Sequence, residues 1–215
     1  MPDADPLVVG ITGATGAIFG VRVLQRLREV PRVATHLVLS SWARANIALE
    51  TGYEVRDVLA LADHVHGRGD QAAAISSGSF RTAGMIIAPC SVKSLAGIRT
   101  GFADGLIGRA ADVTLKERRK LVLLPRESPL SEVHLDNMLA LSRMGAVILP
   151  PVPAFYNHPS SVDDIVDHVV TRVLDQFDID TGRTRRWQGV GTARGGRAQQ
   201  TTGPEAGNRE EEQRA

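Results

Sequence analysis

The chain has 215 residues, 43% of them hydrophobic, and a formal net charge of +1. That suffices for one α/β domain with a buried core, and the balanced charge argues against a nucleic-acid or acidic-membrane partner. A single cysteine, Cys90, excludes an intramolecular disulfide; with no basic flank or apolar core at Met1–Asp5 and no apolar run near the roughly 20 residues of a membrane span, a soluble cytoplasmic protein is expected.

Leu7–Ile11 predicts a first strand, and its near-continuous apolar character suits a strand buried on both faces. From Ala17 to about Val30, Ile18, Val21, Val23, Leu24 and Leu27 recur at helical spacing. A strand at Thr35–Leu39 and a helix from about Ser41 to Thr51 come next. After a less regular stretch follow a strand at Gly84–Ala88 and a helix from Ser91. A helix through Ala110–Arg119 leads to a strand at Lys120–Leu124. Another covers about Ser131–Met144, ahead of a strand at Ala146–Leu149, and a last helix runs from about Ser161 to Phe177. Such alternation with short connections predicts a three-layer α/β fold, a parallel sheet flanked by helices on both sides. One domain over residues 1–187 is expected. Beyond it, residues 188–215 are rich in Gly, Arg, Gln, Thr and Glu, which reads as a disordered tail.

Four segments could carry chemistry. Gly10-Ile-Thr-Gly-Ala-Thr-Gly16 follows the first strand and opens the first helix, where glycines allow close backbone approach and free N–H groups can meet a phosphate. Its glycines are three apart, unlike G-x-G-x-x-G, and the second strand ends Val38-Leu39-Ser40-Ser41 without an acidic residue for a ribose diol. That argues against NAD and leaves a mononucleotide site open. Ala88-Pro-Cys-Ser-Val-Lys-Ser94 repeats the arrangement at a second strand end, with Ser91 and Ser94 able to cap the helix or donate to a ligand. Cys90 lacks a histidine partner nearby in sequence and reads as a buried structural thiol. Leu124-Pro-Arg-Glu-Ser-Pro-Leu130 sets Arg126 beside Glu127, either a surface ion pair or a grip on a phosphate or flavin edge next to a proton-transfer group. Pro150-Pro-Val-Pro-Ala-Phe-Tyr156 is an extended aromatic loop ahead of the helix bearing Arg172. Phe155 and Tyr156 could wall a pocket or simply pack.

In this order, together with Leu115-Lys-Glu-Arg-Arg119 and Gly145-Ala-Val-Ile-Leu-Pro-Pro-Val-Pro-Ala-Phe-Tyr156, these segments resemble the UbiX flavin prenyltransferases over roughly Leu7–Trp187. The resemblance implies a Rossmann-like (flavodoxin-like) fold and a metal-independent transferase. Its substrates would be reduced FMN and dimethylallyl monophosphate, and bonds to flavin N5 and C6 would give prenylated FMN for a UbiD-type decarboxylase. It implies FMN contacts from Gly13, Ala14, Thr15, Ser40, Ser91, Val92, Lys93, Ser94 and Arg126. Tyr156, Arg172, Arg109 and Lys116 would hold the allyl phosphate. Glu127, Glu50, Thr15 and Lys116 would stand at the reacting centre, with Trp187 covering it. A homododecamer with shared sites is implied as well. Thr15 departs from the family's usual serine, keeping the hydroxyl but adding a methyl beside the flavin. Two alternatives remain: a non-catalytic flavin-binding subunit of an aromatic acid decarboxylase, and an FMN-dependent cysteine decarboxylase. The second would carry a histidine where Ser41–Glu50 has none.

Overall fold

The computed structural model describes residues 5–182, together with Trp187 and Gly189. The chain divides into a unit of residues 1–185 and a second of residues 186–215. The tail expected at 188–215 lies, apart from Gly189, outside the described residues.

Six strands form one parallel sheet: β1 (Asp5–Ile11), β2 (Val33–Leu39), β3 (His64–His66), β4 (Gly84–Cys90), β5 (Lys120–Pro125) and β6 (Val147–Ile148). Their order is β3-β2-β1-β4-β5-β6, that of a doubly wound nucleotide-binding sheet. The helices are α1 (Ala17–Leu27), α2 (Ser41–Glu50), α3 (Val55–Leu59), α4 (Val92–Thr100), α5 (Leu106–Lys116), α6 (Glu132–Arg143) and α7 (Val162–Asp175).

Period-two alternation along the strands divides the core between two faces. Val9, Ile11, Ile86, Ala88, Val122 and Leu124 pack with the apolar stripes of α1 and α7. Val8, Met85, Ile87, Leu121 and Leu123 pack with Leu95 of α4, Leu106 and Ala110 of α5, and Leu141 of α6. Gly20 lets α1 lie close on the sheet, because a Cβ there would collide with the Ala88 carbonyl and the Ile11 side chain. An ionic clasp fixes α1 to α7. Arg22 donates to Asp163 at 2.6 Å and to Asp167 at 2.5 Å, and Arg26 reaches Asp167 at 2.9 Å.

Three differences from the sequence reading stand out. The less regular stretch contains α3, β3 and a 3-10 turn at Ala74–Ser76. α5 begins at Leu106 rather than Ala110 and ends at Lys116 rather than Arg119, since Arg118 turns left-handed at φ 57°. α1 stops at Leu27, where the chain tightens into the turn before β2. Among the described residues, no helix is long and apolar enough to cross a membrane.

Candidate functional site

The strand order reverses between β1 and β4, and the turns leaving these two strands are stitched together by one buried side chain. Thr12 Oγ1 donates to the Pro89 carbonyl at 2.8 Å and accepts from Ser91 N–H at 2.7 Å, while Thr12 N–H donates to Pro89 at 3.2 Å. Ser91 then caps α4 by accepting from Ser94 N–H at 3.2 Å. Val92 and Lys93 occupy the first two positions of α4, whose N–H groups have no partner within a helix. They keep that freedom among the described residues. Ser40 likewise caps α2, accepting from Ala43 N–H at 3.0 Å.

Between these turns lies a cavity of about 510 Å³, within the roughly 300–1,000 Å³ typical of small-ligand sites. Its wall includes Gly13, Ala14, Thr15, Ser40, Ser91, Val92, Lys93, Ser94, Arg126 and Glu127, so the residues expected around a flavin meet in one place. No ion pair engages the Arg126 guanidinium among the described residues, while Lys93 faces Asp104 at 3.5 Å on the surface. The surface ion pair between Arg126 and Glu127, one of the two readings of this segment, does not form; Glu127 instead accepts from Ser128 N–H at 3.2 Å. Hydroxyls, helix-terminal N–H groups and an unspent guanidinium are the donors that a flavin mononucleotide's phosphate and carbonyls require.

One reading of the glycine turn needs correction. The N-terminus of α1 is not open to a phosphate, because the Glu50 carboxylate accepts from Gly16 N–H at 2.7 Å and from Ala17 N–H at 3.3 Å. Asn46, one turn earlier on the same face of α2, donates to the Ala14 carbonyl at 2.9 Å. Glu50 therefore sits beside the turn and braces it rather than lining the cavity. The open anion-binding terminus is that of α4.

Arg109, Lys116, Tyr156 and Arg172 also lie outside the cavity wall. Arg109 donates to the Ser76 carbonyl at 3.1 Å and to Asp112 at 2.8 Å. Lys116 pairs with Glu117, and Arg172 with Asp175 at 2.8 Å. Tyr156 and Phe155, offered as pocket walls, are 48% and 70% exposed. Trp187 belongs to the separate C-terminal unit.

Sequence reading missed Thr12, Trp42, Arg68, Phe102 and Asp104, all in the wall. Thr12 was legible as the polar residue ending a buried strand. Trp42 packs so tightly on the glycine turn that a Cβ at Gly13 would strike its own Cβ. Arg68 and Phe102 come from loops that only the tertiary fold brings here. Cys90 is fully buried and its thiol is pushed up to about 12 by desolvation, which fits a structural thiol.

A doubly wound sheet with such a cavity at its switch point marks a nucleotide-binding α/β protein. The family model described as Flavoprotein matches residues 2–174. A probable UbiX-like flavin prenyltransferase of Escherichia coli is 68% identical over 188 residues, covering 87% of this chain and 95% of that protein. The chain belongs to the Flavoprotein family and, within it, to the UbiX-like flavin prenyltransferases. Among solved structures, a dodecameric FMN-dependent UbiX-like decarboxylase from Escherichia coli O157:H7 is 68% identical, with a TM-score of 0.85 and 86% of this chain and 100% of that one covered. AnUbiX (PadA1), crystallised with FMN and dimethylallyl pyrophosphate, is 57% identical at a TM-score of 0.85, covering 86% and 98%.

Proposed function

We propose that this chain joins the dimethylallyl group of dimethylallyl monophosphate to N5 and C6 of reduced FMN, releasing phosphate and making prenylated FMN. The observation that carries the reading is the cavity at the switch point, where two arginines, six hydroxyl residues and the α4 N-terminus converge beside Glu127. The names of close relatives point the same way.

Within that cavity, the α4 N-terminus and Ser40 offer N–H and O–H donors to the flavin, and Arg126 and Lys93 add positive charge. Glu127, half-buried, and Thr15 both line that cavity; in this reading the carboxylate relays the N5 proton and the Thr15 hydroxyl joins the relay. Glu50, by bracing Gly16 and Ala17, fixes the turn that carries Thr15. Departure of the allyl phosphate develops negative charge on oxygen and positive charge on carbon. Arg109, Lys116 and Arg172 suit the first, and the Tyr156 ring face suits the second.

Because those four residues lie outside the cavity of their own chain, we assign them to sites completed by neighbouring copies. A homododecamer like that of the Escherichia coli O157:H7 relative supplies such neighbours. In this reading the enzyme works in the cytoplasm, and a UbiD-type decarboxylase takes up the product. The flavin-carrier alternative predicts no chemistry, and the cysteine decarboxylase alternative lacks its histidine on α2.

Anaerobic incubation of the purified protein with reduced FMN and dimethylallyl monophosphate tests the assignment. A flavin heavier by one prenyl unit is the expected mass-spectrometric product. Recovery of unmodified flavin after many turnover times would leave only the carrier role.

A further inference from the structure

His168 lies on α7, 7% exposed, one helical turn before Arg172. The Tyr156 ring stands edge-on to its imidazole, with centroids 5.7 Å apart and planes at 84°. Tyr156 Oη and His168 Nε2 are 3.4 Å apart, at the long end of hydrogen-bonding range. His168 Nδ1 is buried without a hydrogen-bond partner among the described residues. An unpaired polar atom in the interior is costly, and an aliphatic side chain could fill this place without it. What an aliphatic side chain could not do is hold the phenol.

We propose that His168 is a positioning residue whose Nε2 accepts the Tyr156 hydroxyl proton and holds the phenol next to Arg172, so that the two form a fixed clamp for the allyl phosphate. This rests on the reading of Tyr156 and Arg172 given above. With the proton on Nδ1, Nε2 is the acceptor, an assignment made from the contact itself. Burial and then the Arg172 charge lower the imidazole pKa, opposed by Asp175, which keeps the ring neutral and able to accept. Tyr156 follows a proline-rich loop without regular structure, so the helix, rather than the loop, is the rigid element from which the phenol can be aimed. Arg172 projects from that helix one turn on, which sets both groups on one support.

Steady-state kinetics on the full-length enzyme, with dimethylallyl monophosphate varied at saturating reduced FMN, tests the proposal. His168→Leu is expected to raise KM for the allyl phosphate about tenfold while FMN affinity stays within about twofold. His168→Gln, whose amide oxygen can accept from Tyr156, should recover most of the loss. Adding His168→Leu to Tyr156→Phe should cost nothing further, because the histidine acts through the phenol. Full additivity, or an unchanged KM in folded His168→Leu, overturns the inference. Should the leucine variant not fold, His168→Met is read by the same KM. If Tyr156→Phe and Arg172→Ala themselves leave KM unchanged, the allyl-site reading fails and the inference with it. If those two raise KM and the histidine variants do not, only the inference falls.

Discussion

The turns leaving β1 and β4 and the segment from Pro150 into α7 differ in how their own chain holds them. Thr12, Asn46, Glu50 and Ser91 tie the first region from several directions, with bonds that span up to 79 residues of sequence. In the second, Val152 is 69% exposed, Phe155 70% and Tyr156 48%, and among the described residues the loop's internal backbone bonds are Val152 to Pro150 and His158 to Phe155. A dense, self-satisfied turn pair can hold a ligand alone. Clustered exposed apolar side chains instead mark a surface that something else covers. One half of the proposed site is thus finished within the chain and the other is presented outward.

The largest break in that contrast is expected where α7 is clasped to α1. Asp167→Ala removes a carboxylate that serves two guanidinium groups, on Arg22 and Arg26, whose side chains are only 11% and 13% exposed. Arg22 keeps Asp163 and Arg26 keeps Glu29, but both lose the less exposed carboxylate that they share, so a loss of about 3 kcal/mol is expected by chemical denaturation. FMN affinity measured in the remaining folded fraction should change little, since the turns are braced independently. A matching fall in FMN affinity would show that the two regions are one unit.

Next in size is a change at the cavity rim. Glu127→Gln keeps shape and hydrogen bonding but removes the ionisable group, so prenyl transfer should slow about a hundredfold with FMN bound as before. Single-turnover flavin spectra separate the two effects, and wild-type turnover would remove Glu127 from the chemistry. Thr12→Val, nearly isosteric, leaves Ser91 N–H without its acceptor. A stability loss of about 2 kcal/mol and weaker flavin binding are expected, with KM for the allyl phosphate unmoved.

The same contrast governs how far the molecule could be read from its residues. Strand β1 announced itself as a continuous apolar run, and Ser40, Ser91, Ser131 and Ser161 stand as N-caps where helix starts were expected. Local rules suffice for such features, and they assembled the glycine and serine turns into one cavity wall. β3 escaped because His64-Val65-His66 is a short, polar edge strand paired only to β2, and α3 because five residues carry no clear period. The engagement of the α1 terminus by Glu50 was illegible for a different reason: the partners are 34 residues apart, and no local pattern encodes that meeting. Arg68 and Phe102 reach the cavity through tertiary folding alone.

The smallest effect is expected at Cys90, in the middle of the self-contained region. Its sulfur is fully buried and its pKa is pushed up to about 12, so at neutral pH the thiolate that a nucleophile needs is scarce. Cys90→Ala should cost about 1 kcal/mol for the small void it leaves and leave prenyl transfer within about twofold of wild type. The wild-type thiol should also resist alkylation until the protein unfolds. Rapid labelling in the native state, or turnover abolished by alanine, would require the β4 turn to open during the reaction, and the picture of a rigid flavin half would have to be given up.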